Sequence, residues 1–168
     1  MIKGFLDIIR RENPLKQAQE MAYEMLEKCA AMCEESMYRL RQPEKCNPKF
    51  DIRAEDKYVN KLEREVRRKI VTHLAVGYDR DVNTGLMLTS TIIDMERLGD
   101  YTKNVAQLSR DYQKILKASI YEKNLKRVED FVHRSFRAIV PILKDSDMEQ
   151  ARLLIDESKP ILRACDKV

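Results

Sequence analysis

The chain has 168 residues, enough for one domain with a sizeable core. Charged residues make up 36% of it, Gly numbers 4 and Trp is absent, which is the composition of helices with solvated outer faces. The net charge of +4 arises from 32 basic residues interleaved with 28 acidic ones, so no block forms an electrostatic footprint for nucleic acid, and nucleic-acid binding is not expected.

No apolar run approaches the roughly 18 residues that span a bilayer, and the N-terminus lacks the apolar region and cleavage site of a signal peptide. A cytoplasmic protein is expected. Met1 to Glu12 is a short amphipathic piece, with Ile2, Phe5, Leu6, Ile8 and Ile9 against Lys3, Asp7, Arg10 and Arg11. Such a segment can touch a membrane surface peripherally, dock on a partner helix or pack back on its own bundle.

Asn13-Pro14 has the order of an N-cap followed by proline at the first helical position, where a missing N–H is harmless. The first long helix is predicted from about Pro14 to Arg41. Its seam is Leu15, Ala18, Ala22, Met25, Cys29, Met32 and Ser36, widened by Leu26, Cys33, Met37 and Leu40. Cys29 and Cys33 lie one turn apart in this seam and are expected to be reduced core thiols. Pro43, Asn47 and Pro48 mark a connection over residues 42–50.

Asp51 is a candidate cap for the second helix, whose stripe is Val59, Leu62, Val66, Ile70 and Leu74, with Gly77 at its end. Asp56, Asn60, Glu63 and Arg67 border that stripe. The third helix is predicted to start near Asp79 to Asn83 and to reach about Lys117. Gly85 inside it costs about 1 kcal/mol relative to Ala and fits a close approach of two helices. Ser119-x-x-Glu122 and Ser146-x-x-Glu149 match the capping box and predict the starts of a fourth and a fifth helix. Leu125, Val128, Val132, Phe136, Ile139 and Leu143 stripe the fourth, and Pro141 and Pro160 predict a bend or an early end in each. The fold class is therefore all-α, an antiparallel bundle of about five helices.

On the third helix Leu98, Tyr101, Val105 and Leu108, continuing to Tyr112 and Ile115, recur at steps of three and four and predict the packing face. Glu96, Asp100 and Asn104 follow a second track, flanking that stripe or facing away from it. Asp94 falls near the middle of the stripe by phase and is expected to be a hydrogen-bonded structural residue. Glu96 and Asp100 are one turn apart, and a like-charged pair at that spacing opposes helix formation by about 0.2–0.5 kcal/mol. A cation removes that penalty, and carboxylate oxygens suit hard or borderline ions. Lys103, Arg97 or another basic side chain is the alternative neutraliser. His73 and His133 lack the spacing of a metalloprotease motif, and no phosphate loop or nucleophile elbow appears. Catalysis by a nucleophile has no foothold in this chain.

Asp94-Met95-Glu96-Arg97-Leu98-Gly99-Asp100, with Asn104 and Ala106 after it, resembles the signature of the PhoU family. Asp56-Lys57-Tyr58-Val59-Asn60-Lys61-Leu62-Glu63 resembles the companion pattern on the preceding helix. The similarity spans about residues 15–116. It implies a three-helix unit over about 15–118, followed over about 119–168 by a partial second unit of one PhoU-like domain. It further implies a surface metal site, holding iron or alternatively Mg, Mn, Ca or Zn. Glu96 and Asp100 would be its primary ligands, Asp56 and Glu63 would complete it, and Asn104 would support it. A standard family member repeats the unit with a motif in each half, whereas the second half here has no second E-R-x-G-D. Two chains associating as a homodimer to finish the bundle, or a single-motif member similar to the PhoU-like domains of sodium–phosphate cotransporters, are the two arrangements this suggests.

By that resemblance the function expected is non-enzymatic regulation of phosphate uptake and phosphate-responsive signalling. The implied partners are the cytoplasmic component of a phosphate transporter and a sensor histidine kinase. The alternatives are an accessory or adaptor domain for a sodium–phosphate cotransporter that needs no metal, and a metal-dependent phosphoester hydrolase, since metal-bound water is a nucleophile.

Overall fold

The structure, a computed structural model, describes residues 13–76, 81–112, 116–117 and 119–166. The N-terminal amphipathic segment, Gly77 and Ile115 lie outside the described residues. Among the described residues there are five α-helices and no strand: α1 (Pro14–Arg41), α2 (Ile52–Ala75), α3 (Val82–Asp111), α4 (Glu122–Asp145) and α5 (Met148–Cys165). Short 3-10 turns at Pro43–Lys45 and Ser119–Tyr121 precede α2 and α4. None of these helices is long and apolar enough to cross a membrane.

Local chemistry sets the helix starts. Asn13 adopts a left-handed φ of 41°, and its Oδ1 accepts from the Lys16 N–H at 3.2 Å. That satisfies one of the orphan amides at the start of α1. Asp51 does the same for α2, its carboxylate accepting from the Arg53 and Ala54 amides at 3.0 and 3.2 Å. The starts of α4 and α5 fall close to the two predicted positions. Ser119 lies in the 3-10 turn at φ 52°, and Tyr121 precedes α4 without a side-chain cap. At the later site the cap is displaced by one residue: Asp147 accepts from the Gln150 amide at 2.9 Å, while Ser146, left-handed at φ 53°, closes α4. Both α4 and α5 continue through their prolines, to Asp145 and Cys165. Helix α3 ends at Asp111, short of the expected Lys117.

The chain divides into two compact units, one comprising Met1–Cys29 and Asp51–Lys103, the other Ala30–Phe50 and Asn104–Val168. Helices α1 and α3 each contribute to both units. In the first unit α1 buries Leu15, Ala18, Ala22, Met25, Leu26 and Cys29; α2 buries Val59, Leu62, Val66 and Ile70; α3 buries Ile92 and Met95. Each fully buried large side chain in such a core contributes roughly 1.5–3 kcal/mol. Glycines mark where α3 comes close: a Cβ on Gly85 would stand 3.1 Å from Ile70 Cγ2, and one on Gly99 would stand 3.5 Å from Cys29 Sγ and 3.6 Å from Val59 Cγ1. The Cys29 thiol donates to the Met95 carbonyl at 3.4 Å, and Cys29 and Cys33 are buried free thiols, as expected. His73 is buried at the end of α2, with Nε2 2.7 Å from Asp81 Oδ2.

The buried line of α3 differs from the predicted one. Ile92, Met95, Thr102 and Ala106 are buried, whereas Tyr101 is 63% and Leu108 50% exposed. At about 100° per residue the true face is turned by roughly a third of a circle from the Leu98–Tyr101–Val105–Leu108 stripe. Asp94 is consequently not interior: it is exposed and pairs with Arg97 Nη1 at 3.1 Å.

The second unit buries Met32, Cys33, Leu40, Ala106, Val140 and Ala164 and adds several charge pairs. Buried Glu35 accepts from Arg39 Nε at 2.8 Å and from the Asn47 amide at 2.9 Å, while Arg39 Nη2 donates to the Phe50 carbonyl at 2.6 Å, fastening the 42–50 connection. Arg41 donates from Nε to Glu129 at 2.8 Å and from Nη1 to both Glu122 oxygens at 3.1 Å and to the Leu116 carbonyl at 2.9 Å. These pairs hold the Arg41 guanidinium above its ordinary pKa although burial opposes them. Among the described residues of α4 and α5 only Val140 and Ala164 are buried, and Met148, Ile155 and Leu162 form an exposed line along α5.

Candidate functional site: an acidic row and its lysine

Positions 96, 100 and 103 of α3 are separated by steps of four and three, so Glu96, Asp100 and Lys103 share one face of the helix. Because the buried face of α3 runs through Ile92, Met95 and Gly99, this row borders the core rather than facing away from it, and Glu96 and Asp100 are half-buried. Asp56 comes to the same place from the second turn of α2, one step ahead of Val59 on the helix's inner stripe. Its side chain is only 12% exposed. Glu63, two turns further along α2, is half-buried and pairs with Arg67 on its own helix.

The side chain that joins the two helices is Lys103. Its ammonium lies 3.1 and 3.0 Å from the two oxygens of Asp56 and 2.5 Å from Asp100 Oδ1. Hydrogen bonding to Asp100, with the Asp56 pair added, raises the Lys103 pKa against the opposing effect of burial. Glu96 moves up from the ordinary carboxylate range: burial is the larger cause, followed by the charges of Asp100, Glu63 and Asp56, with Lys103 partly offsetting them. The structure thus brings Glu96, Asp100, Asp56 and Glu63 into one electrostatic neighbourhood. Asn104 is exposed one residue after Lys103 and begins the stretch of α3 assigned to the second unit.

The donor set is hard and anionic, the kind that Mg²⁺, Mn²⁺ or iron accepts. As arranged, however, it does not present a metal-ready set. Lys103 takes up both oxygens of Asp56 and one of Asp100, Arg67 engages Glu63, and among the described residues no three His, Cys, Asp or Glu side chains converge as metal ligands. In the sequence Lys103 is one of several candidate neutralisers; what selects it over Arg97 is helical phase, since Arg97 turns outward to Asp94. In the second unit a polar groove lined by Tyr38, Arg41, Glu122, Glu129 and His133 gathers charge as well, but Arg41 is already paired there with both glutamates.

The geometry is that of a helical bundle with an acid–lysine cluster at the rim of its core. The PhoU domain profile matches residues 22–109, more than half of the chain, and the matched span contains the whole acidic row. The chain belongs to the PhoU domain family. The helices α4 and α5 lie beyond the matched span. No curated protein and no solved structure matches the chain.

Proposed function

We propose that the chain is a non-enzymatic regulator of phosphate uptake and phosphate-responsive signalling, working in the cytoplasm by docking to other proteins. The observation that carries this reading is the family match over residues 22–109, which encloses the Glu96–Asp100 segment and its α2 counterpart. The partners proposed are the cytoplasmic component of a phosphate transporter and a sensor histidine kinase. The rigid part of the docking body is the first unit, where α1, α2 and α3 share a continuous apolar core. A second reading, an accessory or adaptor domain of a sodium–phosphate cotransporter that works without metal, is favoured by one observation: Asp56 and Asp100 are already paired with Lys103 of the same chain.

Association is the property to test. Purified chain is titrated against the transporter's cytoplasmic component and the kinase's cytoplasmic region from the same cell, beside the variant Glu96→Lys/Asp100→Lys. Saturable binding to either partner that the charge reversal weakens by about ten-fold or more supports the docking reading. Absence of binding to both removes it. Phosphatase assays on metal-loaded protein address the enzymatic alternative, and turnover abolished by Glu96→Ala would establish that alternative instead.

A further inference from the structure

We infer that Lys103 is the resident cation of the acidic row, so that this chain closes its α2–α3 junction with its own ammonium in place of the metal ion that family membership implies. An ammonium offers three donors and no acceptor, and here its contacts are to Asp56 Oδ1, Asp56 Oδ2 and Asp100 Oδ1, one oxygen for each proton. Asp56 is the acid that most needs a partner. It is the most deeply buried of the row, and a carboxylate removed from water is strongly destabilising unless it is paired. The lysine meets that need from a position fixed by helical phase, one turn after Asp100 on the same face of α3.

A divalent ion and this ammonium exclude one another. Mg²⁺ requires oxygens at about 2.0–2.1 Å and Ca²⁺ at about 2.3–2.6 Å, which would place the metal against the same carboxylates and bring two cations together. Entry of a metal therefore demands that Lys103 leave Asp56 and Asp100. The carboxylates that would remain are Glu63, engaged by Arg67, and Glu96. Arg97 is no substitute, because it pairs with exposed Asp94 on a different face of α3. The row in this chain is consequently a metal-independent clasp between two helices, and its geometry does not depend on the supply of cations.

The test compares full-length wild type, Lys103→Met and Lys103→Met/Asp100→Asn. Metal content is read by mass spectrometry, Mn²⁺ binding by calorimetry, and the thermal midpoint with EDTA and with Mn²⁺. The inference expects wild type to carry negligible metal and to show the same midpoint in EDTA and in Mn²⁺. It expects Lys103→Met to have a lower midpoint without metal, to recover it with Mn²⁺, and to bind Mn²⁺ at least about ten-fold more tightly than wild type. The added Asp100→Asn change should abolish the gain. Wild type that holds stoichiometric metal, or that loses stability in EDTA, overturns the inference, as does equal Mn²⁺ affinity in wild type and Lys103→Met. Where Lys103→Met fails to fold, the wild-type metal content and EDTA response still decide the matter.

Discussion

Burial controls the chemistry of the cysteines residue by residue. Removal from water pushes the Cys33 thiol up from 9.0 to about 11, with the neighbouring Glu34 charge adding to the effect. The neutral thiol is the form that the fold favours, so its contribution to stability is complete below pH 9.0 and disappears as pH rises through about 11. Because the thiolate is the reactive species, iodoacetamide at pH 8 should modify exposed Cys165 first and half-buried Cys46 next. Cys33 should react only after unfolding, and peptide mass spectrometry that finds it labelled as fast as Cys165 would contradict its burial. This much was legible in the sequence, since a seam position on an amphipathic helix announces burial. The pairing of Lys103 with Asp56 was not legible: it depends on two residues 47 positions apart meeting at one rim, which helical phase permits but does not specify.

At the level of elements, α3 is the informative helix. Its exposed residues include Leu86, Met87, Tyr101 and Leu108, while its inner face uses Gly99, Thr102 and Ala106 beside Ile92 and Met95. A pattern drawn through large apolar residues therefore finds the wrong side. Close helix approach rewards small side chains, and hydrophobicity alone does not register that. Denaturation in urea separates the two phases: Ile92→Ala should destabilise by about 2–5 kcal/mol, as core truncations do, and Tyr101→Ala by no more than about 0.5 kcal/mol. The glycines give a finer comparison. A Cβ at Gly99 meets only ordinary contacts, so Gly99→Ala should stabilise by up to about 1 kcal/mol through helix propensity. At Gly85 the same change presses on Ile70 and Leu74, and its gain should be smaller or reversed. The α1 and α2 stripes were legible because there large apolar residues do form the inner face: Val59, Leu62, Val66 and Ile70 are all buried.

Across the whole molecule, apolar burial and charge pairing are unequally shared. The described core of the first unit draws on three helices, whereas α4 and α5 bury little beyond Val140 and Ala164; α4 is tied to Arg41 through Glu122 and Glu129 and to α5 through the Arg134–Glu157 pair. Local stability follows the density of buried apolar contact. Amide hydrogen exchange should therefore be slowest in α2 around Val59 to Ile70 and faster throughout α4 and α5, with the difference widening at high salt as exposed ion pairs are screened. Equal protection in α2 and α5 would show that α5 has a source of stability other than these contacts. The number and order of the described helices were legible from their apolar stripes and the breakers between them. The grouping into units was not, because α1 and α3 each serve both and no linker separates the units in the chain.

The Arg41 anchor carries a consequence for the order in which the protein is made. Its partners Glu122 and Glu129 lie 81 and 88 residues downstream, so the end of α1 leaves the ribosome long before the acids that engage it exist. Every helix that supplies the first unit's core has emerged once Lys103 is clear of the exit tunnel. Synthesis therefore presents a finished hydrophobic core first, with a waiting arginine at the end of α1, and α4 is captured as it appears. A nascent chain arrested soon after residue 103 has emerged should already protect α2 from protease, while protection around Arg41 should wait until Glu129 has followed.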